Sequence, residues 1–231
     1  MILTVDDLTI PISESTRRKT LQLTVERDSS LRLTVPPGVG LETLEAFIRS
    51  KQPWIYKKLA EKALMQKTIH HKQFLQGEGF LYLGRHYRLN LVTEAQDEPL
   101  KLIQGRFHLR HDALPEARQH FIRWYSQRGK AWLWQRVQDF TTRLEVNPAG
   151  LKVQDLGYRW GSCGKGNMLY FHWKTLLLPA RIAEYVVVHE LVHLHEPNHS
   201  AEFWLRLERA LPDYEKRKQW LAEYGMEVEG L

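Results

Sequence analysis

The chain has 231 residues, 43% of them hydrophobic, eight tryptophans and a formal net charge of +6, enough apolar material for a buried core in one large domain or two small ones. A single cysteine, Cys163, excludes an intramolecular disulfide framework and fits a reducing cytoplasm. No apolar run approaches the roughly 20 residues that span a bilayer, and Met1-Ile2-Leu3-Thr4-Val5-Asp6-Asp7, with two early acids and no basic segment, does not read as a signal peptide, so a soluble, cytoplasmic protein with no membrane partner is expected.

The positive excess lies in residues 1–110, which carry 17 basic and 12 acidic groups (+5), against 16 and 15 (+1) in 111–231. An anionic partner such as nucleic acid or nucleotide would suit that bias. No RNA-binding signature or basic tail accompanies it, and scattered surface Lys and Arg are the plainer reading.

In chain order, Thr20–Val25 and Leu31–Val35 alternate apolar and polar residues with period two, and Asp28-Ser29-Ser30 supplies a turn, which predicts a hairpin. Pro36-Pro37-Gly38 stops it. A helix follows from about Leu41 to Gln66, bent or interrupted near Pro53. Short strands are expected at Gly79–Leu83, His86–Val92, Leu100–Ile103 and Arg106–Arg110, with Gly84 and Gly105 in tight hairpin turns. Pro115 to about Leu144 reads as a long amphipathic helix whose Phe121, Trp124, Tyr125, Trp132, Val137, Phe140 and Leu144 face a core. Asn147-Pro148-Ala149-Gly150 ends it. Strands follow at Leu151–Gln154 and Met168–His172, separated by the loop 158–167. An apolar helix starts at Ala180 after Pro179, another runs from Ala201 to Leu211, and Pro212-Asp213-Tyr214 opens a last short one ending near Tyr224-Gly225. The elements make an α+β chain without internal repeats, divided at 112/113.

The strongest chemical signal is His189-Glu190-Leu191-Val192-His193, followed by His199. On a helix, positions i and i+4 lie about 40° apart around the axis, so both imidazoles can reach one metal ion at about 2.0–2.1 Å. Glu190 lies about 100° round from His189, where it can take a proton from water without being a ligand. Pro197 ends the helix, Asn198-His199-Ser200 forms a turn, and Ser200 is an N-cap for the next helix. His199 can therefore complete a three-histidine Zn2+ site that leaves a fourth position to solvent. A buried helix with hydrogen-bonded histidines is the plainer alternative. His195 lies about 200° from His193 and is expected at the surface, with Glu196 in the turn.

The second constellation is the loop Arg159-Trp160-Gly161-Ser162-Cys163-Gly164-Lys165-Gly166. Its glycines permit close backbone approach, and Arg159 and Lys165 add positive charge. It could pair an extended peptide by edge addition, cradle phosphate, or be a turn without chemistry; the Gly-Lys-Ser/Thr ending of a Walker motif is absent. Cys163 has no identified base partner and reads as a structural cysteine.

With R-W-G-S-C-G at 159–164, Y-V-V-V-H-E-L-V-H-L at 185–194, N-H-S at 198–200, F-W at 203–204 and P-D-Y at 212–214, the chain resembles the YgjP-like family of zinc metallopeptidases, relatives of the SprT- and WLM-type proteins. Weaker likeness lies at Arg17–Leu21 and Lys51–Ile55, and residues 68–112 carry least of it and read as an elaboration. The resemblance implies a zincin-like core over 113–231, a small sheet on the active-site helix, preceded by a small α/β unit over 1–112. It implies zinc held by His189, His193 and His199, with Glu190 as the catalytic acid.

Some members carry a UTP pyrophosphatase label instead of a peptidase one. Three functions are therefore weighed: a zinc peptidase, a nucleoside triphosphate pyrophosphatase at the same site, and a non-catalytic binding module with structural zinc. In the first, Glu190 is the general base, and Arg159, Tyr185 or a backbone N–H of the loop stabilises the oxyanion. In the second, Arg159, Lys165 and the pair Arg17 and Arg18 hold phosphates. Arg159, Ser162, Lys165 and Tyr185 are the candidate substrate contacts for a peptide, protein or nucleoside triphosphate. Nucleic acid has no motif behind it, and the sequence does not specify an oligomeric state.

Overall fold

The structure, a computed structural model, describes residues 2–26, 29–65, 71–93, 97–157, 159–228 and 230–231, with the backbone alone at 60–65. The chain forms two compact units, Met1–Thr68 and Ile69–Leu231.

The first unit is a four-stranded sheet and a helix. β1 (Ile2–Val5) and β2 (Leu8–Glu14) form a hairpin, β3 (Gln22–Val25) pairs antiparallel with β4 (Leu31–Val35), and β2 runs parallel to β4, giving the order β1-β2-β4-β3. The hairpin turn is Asp6-Asp7, where Asp6 takes φ 54°, a left-handed conformation that Asp tolerates better than most residues. α1 (Leu41–Met65) continues through Pro53. Leu44, Ile48 and Ile55 lie on its buried side, in one cluster with Leu3, Ile10, Leu33 and their strand neighbours. Arg49 and Gln52 both donate to the Asp6 carboxylate, at 3.0 and 2.6 Å, and Tyr56 donates to Asp7. The helix is thereby tied to the turn of the first hairpin.

The second unit opens with β5 (Gly79–Tyr82), β6 (Arg85–Val92), β7 (Leu100–Ile103) and β8 (Arg106–Arg110), ordered β5-β6-β8-β7 with β6 and β8 parallel. A 3-10 stretch, His111–Glu116, leads into α2 (Ala117–Leu144), which ends with Glu145 in a left-handed cap. A second sheet holds β9 (Gly150–Gln154), β10 (Gly161–Cys163) and β11 (Met168–His172) in the order β10-β11-β9. α3 (Ala180–Val192), α4 (Ala201–Ala210) and α5 (Tyr214–Tyr224) complete the unit. The whole is an α+β fold.

The first sheet of this unit shares one core with the helices. Phe80 of β5 stacks on Phe121 of α2 at 4.2 Å, Phe107 of β8 meets Trp124 edge-on at 4.8 Å, and the Tyr125 hydroxyl donates to the Leu81 carbonyl at 2.6 Å. Gly84, at φ +77°, lies so close to Pro179 that a Cβ there would stand 2.7 Å from its Cα. The expected division at 112/113 therefore cuts through a core. The compact units part at Thr68 and Ile69, because the aromatic contacts of residues 79–110 run forward to α2.

Gly129 of α2 sits against the 3-10 turn Trp173–Leu177, where an added Cβ would lie 2.6 Å from Leu176 Cδ2. Leu176 is fully buried. Gly129→Ala is expected to destabilise by about 1–3 kcal/mol of overpacking, even though alanine is favoured by about 1 kcal/mol in an open helix. A urea midpoint at or above wild type would contradict this.

Candidate metal centre

α3 is apolar nearly all round, with Ile182, Ala183, Val186, Val187, Val188, Leu191 and Val192 buried. Three valines in sequence form helix poorly, so burial and its neighbours hold it. Arg217 of α5 donates to Glu184 at 2.7 Å and to the Arg181 carbonyl at 2.9 Å, and pairs with Asp213 at 2.9 Å. The helix gives out at His193, its C-cap. Ser200 caps the next helix, its hydroxyl accepting from Phe203 N–H at 3.2 Å. His199 is carried on the turn between them.

The three rings converge. Their centroids stand 5.0, 4.9 and 4.7 Å apart, and one nitrogen from each falls within 4.8 Å of the others. His189 Nε2 and His199 Nε2 are 3.0 Å apart. Phe203, fully buried, forms the floor, with centroids 4.9, 4.7 and 4.7 Å from His189, His193 and His199.

The arrangement fits a cation. Two nitrogens each about 2.0–2.1 Å from one tetrahedral ion stand about 3.3 Å apart, close to the separation of the two Nε2 atoms. His193 Nδ1 lies 2.9 Å from the Glu196 carbonyl; a carbonyl only accepts, so Nδ1 carries the proton and Nε2 keeps its lone pair. Burial, reinforced by the neighbouring imidazoles, pulls His189 down to about 3. His199 is lowered as well, first by burial and then by His193 and Lys218. Neutral rings are the ligand form.

Glu190 is buried beside them, with 6% of its surface exposed. Burial pushes its carboxyl up to about 8, against the opposing pull of the Cys163 backbone N–H and the Arg159 charge. That N–H comes from the free edge of the second sheet. Trp160 and Gly164 hydrogen-bond toward β11 through Trp160 O and Gly164 N, so by alternation Gly161 and Cys163 turn their backbone groups away from it. Gly161 has no side chain because none fits. A Cβ would lie 2.7 Å from both Cγ and Oε1 of Glu190.

A cleft of about 530 Å³ joins these parts, lined by Arg159, Gly161, Ser162, Cys163, Gly164, Lys165, Asn167, His189, Glu190, His193, Leu194, Pro197 and His199. Arg159 donates to the Ser162 hydroxyl at 2.9 Å. Three of the four candidate substrate contacts, Arg159, Ser162 and Lys165, thus border the same space. Tyr185 does not; it is buried behind His189, 5.8 Å centroid to centroid, with its hydroxyl pushed up to about 12 by desolvation. His195 is at the surface, its Nε2 2.9 Å from the Leu144 carbonyl. The Cys163 thiol is raised, by burial first and Glu190 second, and stays protonated.

Several supporting residues gave no sequence signal of their own. His172 is buried, accepts the Lys174 N–H at 3.1 Å through Nδ1, and places Nε2 3.3 Å from Asp155. Asp155 in turn accepts the Gly157 N–H at 2.7 Å, which anchors the start of the segment leading to Arg159.

An α+β chain with three convergent imidazoles and a buried carboxylate in one cleft has the make-up of a metal-centre protein. Residues 19–224 match the family model of the YgjP-like, metallopeptidase domain, and the chain belongs to that family. The bounds of the match enclose 68–112, the stretch that carries least of the likeness. No curated protein and no solved structure matches the chain. Among the described residues no helix is long and apolar enough to cross a membrane.

Proposed function

We propose that the chain is a zinc-dependent peptidase in which His189, His193 and His199 hold the ion and Glu190 is the general base. The observation that carries the reading is the meeting of three ligand nitrogens within 4.8 Å with a buried carboxylate lining the same cleft. An ion held there supplies Lewis acidity, polarising a scissile carbonyl and acidifying water beside it.

The remaining steps fall to the protein. The outward backbone of β10 offers the Gly161 groups and the Cys163 carbonyl to an extended peptide, which would lie along a free strand edge next to Glu190, the Cys163 N–H being taken by that carboxyl. Glu190, its charged form favoured once a cation sits nearby, takes a proton from the attacking water and passes it to the leaving amine. Arg159 stands close enough to Glu190 to act on its charge and is the side chain best placed to meet developing negative charge on the substrate. A purely structural zinc site would have no use for a desolvated acid in its cleft.

Arg159 and Lys165 on the cleft wall also suit a triphosphate, so the test includes both substrate classes. Purified protein is assayed against a peptide library and against nucleoside triphosphates, before and after removal of metal with a chelator and after restoring Zn2+. Peptide cleavage lost with the metal and regained with zinc is expected. Pyrophosphate release with the same metal dependence and no peptide cleavage would transfer the site to the nucleotide reading, and neither activity at full zinc occupancy would leave a binding module.

A further inference from the structure

His199 differs from its two partners in being carried on an exposed turn and not on a helix. His189 and His193 sit at the end of α3, where burial in the helix packing holds His189, whose Nδ1 has no hydrogen-bond partner among the described residues, and the Glu196 carbonyl fixes His193 Nδ1 at 2.9 Å. His199 lies on an exposed turn, and among the described residues its ring has one contact at hydrogen-bond distance, His189 Nε2 at 3.0 Å. Among the described residues no carbonyl or carboxylate hydrogen-bonds its other nitrogen, the role such a bond usually fills for a metal-binding histidine.

An aromatic face stands in that place. The His199 ring stacks on the Trp204 indole at 5.5 Å and 24°. Trp204 is itself stacked on Tyr214 at 5.7 Å and 23°, and Lys218 Nζ lies 4.1 Å from the indole centroid. Trp204 is only half-buried, whereas Phe203, Leu207 and Ala210 carry the buried face of α4. A large ring at a half-exposed position, packed on the edge of the core beside Phe203 and held by Tyr214 and Lys218 of α5, is placed to fix an imidazole.

We infer that Trp204 is a positioning residue for the metal centre: by stacking on His199 it sets the ring plane of the third ligand, and so sets metal affinity. The inference rests on the ligand reading of the three histidines. Ordering a solvent-exposed imidazole costs side-chain entropy, and a preformed stack removes that cost before the ion arrives.

The test measures Zn2+ affinity by competition with a chromophoric chelator, on Trp204→Leu and Trp204→Phe, alongside the thermal midpoint of each metal-free protein. Trp204→Leu is expected to lower affinity about 10- to 100-fold, and Trp204→Phe, which restores an aromatic face, to recover most of it at a similar midpoint. Trp204→Leu with wild-type affinity would overturn the inference. So would losses in both variants that follow a common drop in midpoint, since that is a merely structural role. If Trp204→Leu does not fold, Trp204→Gln is read in its place; failure of both to fold again means a structural role. Wild-type protein that takes up no zinc would overturn the ligand reading, a result distinct from a wild type that binds and a variant that equals it.

Discussion

Glu190→Gln is expected to lower turnover by about 10²- to 10⁴-fold, the span attributed to a positioned acid–base group, and to leave zinc content at the wild-type level. Glutamine has the shape of glutamic acid, and its carbonyl oxygen can still accept the Cys163 N–H that the carboxyl accepts now. What it cannot do is take a proton. The three imidazoles are untouched, because the acid lies off the ligand stripe and the cluster of ligand atoms is made of His189, His193 and His199 alone. Metal analysis and steady-state kinetics on the same preparation separate the two roles. Turnover within a few-fold of wild type, with zinc in place, would remove Glu190 from the chemistry. Zinc lost along with turnover would make the carboxylate part of the metal-holding set and not a base beside it.

What could be read in the sequence was what depends on neighbours along the chain. The spacing of His189 and His193 is a property of one helix. The cap at Ser200 is a property of one turn and is found with its hydroxyl on Phe203 N–H. The hairpin Ile2–Glu14 is absent from the sequence reading, and Pro11 in β2 weakens whatever strand signal its alternation carries. The sheet tolerates it there since pairing of β2 with β4 begins only at Ile12, so Pro11 has a partner on one side alone, Ile2. β10 could not be read either: three residues beginning with glycine have little strand propensity, and its extended form is imposed by pairing with β11. The division of the chain failed for a related reason. Phe80 and Phe121 are stacked in space but lie on elements that local patterns treat as separate, and the deep packing of residues 79–110 on α2 leaves no mark in composition. Phe203 and Trp204 carried a family likeness and no visible role; their work at the histidines depends on a turn that brings α4 back toward α3.

Gly161→Ala is expected to damage catalysis while sparing the metal. The added methyl would sit 2.7 Å from Glu190 Cγ and Oε1 and 2.9 Å from its Cδ, distances no carbon tolerates. Glycine is needed here for space and not for backbone freedom, since Gly161 is absent from the residues with positive φ. Either the carboxyl swings out of its buried seat or β10 retreats from α3, and both separate the acid from the attacking water. A displacement of about 1 Å at a reacting group costs on the order of 10²-fold in rate, and the overpacking about 1–3 kcal/mol in stability. The histidines lie outside the collision, so zinc affinity should hold. The source of the strain can be isolated. In a Glu190→Ala background the side chain that collides is gone, and Gly161→Ala should then cost much less stability than it does in the wild type, a coupling of the size seen between residues in contact. An equal stability loss in both backgrounds would place the damage in the β10–β11 pairing and detach Gly161 from the acid.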